Sequence, residues 1–260
     1  MLLAIDTEAR TLVWEAGGER RQLALYSKEA FEALSTQWLR LGWSLGYYTN
    51  LSWLGTPIQQ LPEDLIRVQE VIHRLRPDVI VETGVLFGGS LVYYASLCRL
   101  VGRGRVIGID VAIRPEARRA VSSSPLSPLI TLLEGSSTDP AIVERVRRAI
   151  RPGETVLVLL DSDHSKAHVA AELEAYHPLV TPGSYLVVAD GIMADLGDVP
   201  GGDPAWAGDH PGAAAAEFAA RHPEFALEQP AWPTRAGALA ANVTYWPGGW
   251  LRREGGAGPA

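Results

Sequence analysis

The stretch that decides the fold is residues 79–90, with the sequence VIVETGVLFGGS. A short apolar run ends in an acidic residue, a glycine follows, and a glycine pair opens an apolar helical stretch. Gly84 permits a sharp turn after the strand, because glycine adopts positive φ angles without steric cost. We expect Gly88 and Gly89 to let a ligand approach the backbone and the N-terminus of the next helix.

Strand-like and helix-like stretches alternate around this segment. The predicted strands are Val79–Val81, Val106–Ile109, Ile130–Leu133, Val156–Leu160 and Tyr185–Val188, and the predicted helices are Ser90–Val101, Pro115–Val121, Pro140–Ile150 and Ser165–Leu179. Short apolar strands separated by helices are typical of a parallel sheet that is covered on both faces. We predict an α/β fold with a Rossmann-like, doubly wound, mostly parallel sheet, whose ligands bind at the carboxyl ends of the strands.

The flanking segments predict additions to this sheet. On the N-terminal side we expect a hairpin (Leu2–Ile5 with Thr11–Glu15), a helix from Ser27 to about Trp43, an aromatic loop (Gly46–Gln60) and a helix from Pro62 to about Leu75. On the C-terminal side we expect a loop and potential lid (Gly191–Gly212), a helix (Ala213–Arg221) and an antiparallel hairpin (Phe225–Leu227 with Asn242–Trp246). We divide the chain into an extension (1–61), a cofactor-binding domain (62–250) and a tail (251–260).

Composition excludes several classes of function. The net charge is −7, which disfavours a nucleic-acid partner, because binding to phosphates needs clustered positive charge. No apolar run approaches the roughly 20 residues of a membrane span, and the acidic N-terminal residues are not those of a signal peptide. The only cysteine, Cys98, cannot form an internal disulfide. We therefore expect a cytoplasmic protein with no membrane partner.

Two consecutive predicted strands end in carboxylates, Glu82 and Asp110. The glycine spacing after Glu82 is not the G-x-G-x-x-G that a dinucleotide pyrophosphate prefers, and Glu82 suits a ligand with an ammonium group or hydroxyls. Asp110 is placed to accept both hydroxyls of a ribose. Together they predict a nucleoside-type cofactor.

After the third strand, Ser136 or Ser137 could reach an adenine edge or simply cap the next helix.

A second acidic group follows the later strands, in the segment Asp161-Ser162-Asp163-His164 and at Asp190. Adjacent parallel strands would bring Asp163 and Asp190 together, and two converging carboxylates suit a hard cation such as Mg²⁺. The alternative is that Asp161 or Asp163 caps the following helix. His168, one turn beyond His164, is interpreted as a helix-face residue.

These motifs resemble the cephalosporin hydroxylase family, whose members are similar to S-adenosylmethionine (SAM)-dependent O-methyltransferases, including rhamnosyl and other sugar O-methyltransferases of natural-product biosynthesis. The resemblance covers roughly Trp53–Asp195 and Pro247–Trp250. It implies SAM and Mg²⁺ as cofactors and a hydroxylated small-molecule substrate such as a glycoside. The expected cofactor-binding residues are Glu82, Gly84, Phe87, Gly88, Ser90, Asp110, Ser136, Ser137 and Asp161; the metal ligands are Asp163 and Asp190; the catalytic residues are His164 and Asp163.

One position departs from the family. Metal-binding relatives often carry Glu-Asp where this chain has Ala189-Asp190, and Asp161 or Asp195 could compensate. His164 is the candidate base, because imidazole titrates near neutral pH, and the alternative is a histidine that orients the carboxylates. Two alternative functions are a cofactor-binding auxiliary protein without catalysis and a nicotinamide-dependent oxidoreductase, although the sequence has no catalytic Tyr-Lys pair.

The eight tryptophans lie within the first 53 residues or beyond Asp195, outside the predicted cofactor-binding core. Aromatic side chains of this kind suit the walls of a pocket for a sugar or polyketide. The alternative is that they serve core packing or the contacts of a homo-oligomer, which we also expect.

Overall fold

The computed structural model describes residues 2–234, 236–239 and 242–255. Its strands are β1 (Leu2–Asp6), β2 (Thr11–Ala16), β3 (Glu19–Ala24), β4 (Ser52–Trp53), β5 (Thr56–Pro57), β6 (Val79–Thr83), β7 (Arg105–Asp110), β8 (Ile130–Glu134), β9 (Val156–Leu160), β10 (Tyr185–Val188), β11 (Phe225–Leu227) and β12 (Trp250–Arg253). Its α-helices are α1 (Lys28–Ser44), α2 (Pro62–Leu75), α3 (Gly89–Val101), α4 (Pro115–Ser123), α5 (Pro140–Ala149), α6 (Lys166–Tyr176) and α7 (Pro211–Arg221). The predicted alternation of strands and helices is confirmed.

The main sheet has seven strands in the order β11-β12-β10-β9-β6-β7-β8. Strands β8, β7, β6, β9 and β10 are mutually parallel, and β12 and β11 add antiparallel strands at one edge. The predicted mostly parallel, doubly wound sheet is therefore confirmed. Its strand order reverses direction between β6 and β9, and a crevice at such a point is where ligands bind in open α/β sheets.

Strand β6 shows why the strands are continuously apolar. Its side chains alternate between two hydrophobic clusters, with Ile80 on the face covered by α2 and α3, and Val79 and Val81 on the face covered by α5, α6 and α7. Both faces are buried, so a strand with polar residues at every second position would leave unpaired polar groups in the core.

The N-terminal extension contains the predicted hairpin and one strand more than predicted. β1 and β2 pair antiparallel, and β3 continues the meander. β3 escaped prediction because it begins Glu19-Arg20-Arg21-Gln22 and is largely exposed, so burial imposed no apolar pattern on it. Ser27 caps α1 as predicted, accepting a hydrogen bond from Ala30 N at 3.1 Å.

The aromatic loop packs over the sheet edge rather than linking separate domains. The carbonyl oxygen of Pro57 would lie 2.1 Å from a Cβ atom placed on Gly89. Glycine is therefore required at position 89 because the aromatic loop fills the space that a Cβ atom would occupy. The sequence suggested instead that a ligand would fill this space. Gly88 has φ +83°, and a Cβ atom placed on it would lie 3.2 Å from Val121 Cγ2, so glycine at this position also serves the fold.

The C-terminal hairpin differs from the prediction in its second strand. β11 pairs with β12 (Trp250–Arg253), not with Asn242–Trp246, and β12 lies between β10 and β11. The 242–246 segment is held elsewhere, because buried Asp64 accepts hydrogen bonds from Thr244 Oγ1 and from Tyr245 N, the latter at 2.9 Å. β12 also extends past residue 250 into the predicted tail, whose residues 256–260 lie outside the described part.

The helices of the described residues are all too short or too polar to cross a lipid bilayer. Cys98 is buried in α3, as expected for a small apolar residue of the core.

Candidate active site

The turn after β6 is shaped by its contact with the end of β9. Gly84 has φ +89°, and a Cβ atom on it would lie 1.9 Å from the carbonyl oxygen of Asp161. Residues with a side chain are excluded on both counts, since the backbone conformation is unfavourable and the space is filled. This close approach brings the Gly84 turn and Asp161 to the same point of the sheet edge.

Asp110 holds the Gly84 turn from the neighbouring strand. Its Oδ2 accepts hydrogen bonds from Val85 N at 2.9 Å and Leu86 N at 3.2 Å, and its Oδ1 accepts one from Ala112 N at 3.1 Å. Asp110 also lines the cavity at this edge.

Glu82 is fully buried rather than facing the cavity. Its Oε2 accepts a hydrogen bond from Ser90 Oγ at 2.6 Å, and burial, with Asp161 nearby, raises its pKa well above the usual range. The predicted cofactor residues that do line the cavity here are Gly84, Phe87 and Ser90. Phe87 lies under the guanidinium of Arg114, with 5.3 Å between the Arg114 Cζ atom and the ring centroid.

The serines after β8 line the cavity and do not cap α5. That cap is Asp139, whose Oδ1 accepts a hydrogen bond from Ala141 N at 2.8 Å. Ser137 Oγ lies 3.1 Å from His168 Nε2, and Tyr176 Oη donates to the Ser137 carbonyl at 2.8 Å. His168, interpreted from the sequence as a helix-face residue, therefore belongs to the cavity wall.

A cluster of three ligating side chains lies where β9 and β10 end. The side chains of Asp161, His164 and Asp190 each offer an atom within 4.8 Å of the others, and His164 Nε2 is 3.4 Å from Asp190 Oδ2. Two carboxylates and an imidazole in this arrangement can hold a divalent cation, and the oxygen ligands suit Mg²⁺.

The protonation of this cluster reflects its crowding. Burial raises the pKa of Asp190 to about 6; His164 lowers it and Asp161 raises it. Burial lowers the pKa of His164, but the surrounding carboxylates, Asp190 foremost, outweigh burial and raise it above its ordinary value. Carboxylates that repel one another in a half-buried site are stabilised by a positive charge between them, either the imidazolium or a metal ion.

Asp163 lies outside this cluster. It is exposed, and its Oδ1 accepts a hydrogen bond from Ser165 N at 2.8 Å, so it shapes the turn into α6 while Ser165 caps the helix. The structure thus brings Asp161 and His164 to Asp190, whereas the sequence pointed to Asp163 as the partner. Asp195 is also exposed and outside the cluster, with its carbonyl oxygen accepting a hydrogen bond from Arg40.

Gln60 is a site residue that sequence reasoning missed. It is 5% exposed and donates a hydrogen bond from Nε2 to Asp161 Oδ2 at 3.1 Å. Its place at the end of the aromatic loop, just before Pro62, was the only signal available. The loop therefore contributes to the site directly.

The Gly84 turn, Asp110, Gln60 and the cluster of Asp161, His164 and Asp190 line one cavity of about 730 Å³. Trp43 and Trp206 meet edge to face on its wall, with ring centroids 5.5 Å apart, and Tyr48 and Met193 also contribute. Two of the eight tryptophans thus frame the pocket, while Trp53, Trp246 and Trp250 pack in the core.

The predicted lid is tied to the rest of the chain. Asp209 accepts a hydrogen bond from Lys166 N at 2.6 Å, and His210 caps α7 by accepting one from Ala213 N at 3.3 Å. Ser44 at the end of α1 donates to the Pro200 carbonyl at 3.1 Å. Asp209 and His210 therefore support the loop rather than face the cavity.

A doubly wound sheet with this cavity at its switch point defines a Rossmann-like cofactor-binding protein. The family described as Rhamnosyl O-methyltransferase/CmcI matches residues 45–254. The chain belongs to that family.

Similar curated proteins carry the name rhamnosyl O-methyltransferase. The one from Mycobacterium tuberculosis is 37% identical over 169 residues, which are 61% of this chain and 66% of the relative. The one from Mycobacterium leprae is 35% identical over 155 residues, 55% of this chain and 64% of the relative. The matched region thus spans just under two thirds of these relatives' length.

Solved structures of CmcI share the fold. An apo structure aligns with a TM-score of 0.55 at 21% identity, covering 80% of this chain and 77% of that one. A CmcI structure with Mg and SAM aligns with a TM-score of 0.52 at 20% identity, covering 80% of this chain and 78% of that one.

Proposed function

We propose that this protein is a SAM-dependent O-methyltransferase that acts, with the help of a divalent cation, on a hydroxyl of a sugar or glycosylated natural product. The observation that carries the proposal is the cluster of Asp161, His164 and Asp190 beside the Gly84 turn and Asp110. Membership of the Rhamnosyl O-methyltransferase/CmcI family supports the reaction and the sugar substrate.

The cavity has the chemistry expected of a SAM site. The ribose would lie against Asp110, the adenine near Ser136 and Ser137, and the remainder along Gly84, Phe87 and Ser90. Buried Glu82 supports this surface through Ser90. The acidic surroundings also favour a ligand whose sulfur carries a positive charge.

The cation would be held by Asp161 and Asp190. Their oxygen atoms suit Mg²⁺, and Gln60 orients Asp161 through the hydrogen bond to its Oδ2. With Ala189 before Asp190, the Asp161–Asp190 pair supplies the two acidic ligands of the cluster. Asp163 remains a candidate for a supporting role near His164.

When bound, SAM supplies a methyl group on a positively charged sulfur, and a divalent cation lowers the pKa of a hydroxyl bound to it. His164 would then accept the proton of the acceptor hydroxyl at Nε2. Asp190, 3.4 Å from that nitrogen, would stabilise the imidazolium that forms. Trp43, Tyr48 and Trp206 would exclude water and position a sugar ring over the cluster.

The proposal is tested in two steps with the purified chain. Binding is first measured by calorimetry, with SAM and with NAD in separate titrations. We expect the protein to bind SAM and not NAD. Release of S-adenosylhomocysteine is then measured against a panel of rhamnosides and other glycosides, with Mg²⁺ and with EDTA. We expect turnover that needs the cation. Binding of NAD in place of SAM would favour an oxidoreductase. Binding of SAM without turnover on any glycoside would favour an auxiliary protein that has lost catalysis.

We also propose that the protein forms a homo-oligomer. Helix α1 and the residue that follows it present large apolar side chains to solvent, with Trp38 42%, Leu41 59% and Leu45 74% exposed. Exposed apolar patches of this kind mark contact surfaces. Light scattering should give a mass that is a multiple of the chain's, and Leu41→Glu should reduce it; a monomeric wild-type protein would contradict this.

A further inference from the structure

A second cluster of ligating side chains lies where α6, α7 and β11 meet. His177 follows α6, His222 follows α7, and Glu224 precedes β11. Each offers an atom within 4.8 Å of the others. None of the three lines the cavity described above.

Both imidazoles are held by a hydrogen-bond partner outside the cluster at one ring nitrogen, which lets the other nitrogen serve as a metal ligand. His177 Nδ1 lies 3.1 Å from the Leu173 carbonyl oxygen, which can only accept, so Nδ1 carries the proton and Nε2 is left with its lone pair. His222 Nε2 lies 3.3 Å from a Glu174 carboxylate oxygen, and its Nδ1 lies 3.2 Å from Glu224 Oε1. A hydrogen bond from the second ring nitrogen to a carbonyl or carboxylate is the usual support of a metal-binding histidine.

His222 stands between two carboxylates. A neutral imidazole has one N–H group and can donate to only one of them. Both carboxylates are satisfied by an imidazolium, which donates from its two nitrogens. They are equally satisfied when the proton on Nε2 is donated to Glu174 and a cation binds between His222 Nδ1 and Glu224.

Aromatic neighbours keep the two rings in place. The His177 and His222 ring centroids are 4.7 Å apart. Phe218, fully buried, stacks on His222 with centroids 4.0 Å apart and an interplanar angle of 17°, and Phe225 meets His177 edge to face at 6.1 Å. Such packing restricts the side-chain rotamers before any ligand binds, which lowers the entropic cost of coordination.

We propose that His177 Nε2, His222 Nδ1 and the Glu224 carboxylate bind a Zn²⁺ ion or a similar transition-metal ion. Two imidazoles and a carboxylate are a ligand set of that class, rather than of Mg²⁺, and exposed Glu224 leaves room for a water molecule as the fourth ligand. The ion would join α6, α7 and the three-residue edge strand β11. Its role is structural and separate from methyl transfer.

The test uses tag-free, metal-stripped protein titrated with Zn²⁺ in excess Mg²⁺, with a chromogenic chelator as competitor. The double variant Asp161→Asn/His164→Gln removes the cluster at the cavity and should keep one Zn²⁺ site. In that background, His222→Gln and Glu224→Gln should each weaken binding at least about tenfold, and Glu174→Gln by about 10- to 100-fold through the loss of support to His222. His73→Gln, which changes an exposed histidine of α2, is the matched control and should bind as the double variant does.

Thermal unfolding supplies a second readout. Zn²⁺ should raise the melting temperature of the double variant more than that of its His222→Gln form at the same Zn²⁺ concentration, because stabilisation by a ligand falls as its Kd rises. SAM binding by the single variant His222→Gln should match that of the wild type and so show that the fold is intact. Loss of all Zn²⁺ binding in the double variant, or equal binding by the His222→Gln, Glu224→Gln and control forms, would overturn the proposal.

Discussion

Gln60 Nε2 donates a hydrogen bond to Asp161 Oδ2 across 3.1 Å, joining the loop before α2 to the end of β9. Both residues line the cavity, and Gln60 is buried. The sequence predicts that residue 60 belongs to an extension outside the cofactor-binding domain. The contact shows that the extension helps to orient a carboxylate of the site.

Removal of this amide should weaken binding of the cation. For Gln60→Leu we expect about tenfold lower affinity for Mg²⁺, because supporting partners of metal ligands typically contribute that much. Calorimetry of Mg²⁺ binding in the presence of S-adenosylhomocysteine measures the change. Gln59→Leu, at the neighbouring position of the same cavity wall, is the control. Wild-type affinity in Gln60→Leu would show that the contact has no role in cation binding.

Substitutions of Asp161 and Asp163, two aspartates of the loop after β9, should differ in their effect on Mg²⁺ affinity. Asp161→Asn and Asp190→Asn should each lower Mg²⁺ affinity by tenfold or more, since both belong to the cluster. Asp163→Asn should change it much less, because Asp163 is exposed and bonded to Ser165 N. If Asp163→Asn abolishes cation binding while Asp161→Asn retains it, the sequence-based assignment of Asp163 is the correct one.

His164 should affect turnover more than binding. For His164→Asn we expect kcat to fall by about 10²- to 10⁴-fold, the usual contribution of a general base, with little change in the Kd for SAM. The measurement is kcat at saturating Mg²⁺, beside the Kd for SAM, and His73→Asn is the surface control. Recovery of wild-type kcat at high Mg²⁺ would instead identify His164 as a metal ligand.

Gly84 should be irreplaceable for packing reasons. A Cβ atom there would overlap the Asp161 carbonyl at 1.9 Å, so Gly84→Ala should destabilise the fold by about 2–5 kcal/mol in urea unfolding. Gly153→Ala is a matched control, because Gly153 has a similar φ of +84° but no atom within 4 Å of the added Cβ. It should cost only about 1 kcal/mol. If the two variants lose equal free energy of unfolding, the backbone around Asp161 must shift to remove the overlap with the added Cβ atom.

Stability should fall with rising pH because of Asp64. Burial raises the pKa of Asp64 to about 7, despite its hydrogen bonds from Thr244 and Tyr245. The folded state therefore holds this proton more tightly than the unfolded chain, whose aspartates titrate near about 4. Its contribution to stability is fully present below about pH 4 and is lost as the pH rises through about 7.

Asp64→Asn should remove this pH dependence, since an amide keeps the shape and cannot ionise. Urea unfolding at pH 5 and pH 8 should show a drop for the wild type on the order of a few kcal/mol, and a smaller drop for the variant. An identical drop in the two proteins would assign the pH dependence to other groups.

The sequence by itself determined the architecture and the place of the site. Continuous apolar strands, helices with Pro at their first turn and the glycine after Glu82 predicted the parallel sheet and its ligand edge, because burial on both faces and positive φ angles each restrict residue type locally. The same reasoning placed Asp110, Asp161 and Asp190 at that edge, since a polar residue at the end of a buried strand lies there, but it predicted Asp163 rather than Asp161 as the metal ligand beside Asp190.

The tertiary structure decided which of these side chains meet. Asp161 and Asp163 are two positions apart in one loop, and only the backbone path after β9 sets which carboxylate turns toward Asp190 and which holds the turn into α6. Gln60 reaches the site from 101 positions away along the chain, and β12 replaces residues 242–246 beside β11 because Asp64 holds that segment. Contacts of such long sequence separation leave no periodic pattern, since they depend on how whole elements pack rather than on the preferences of neighbouring residues.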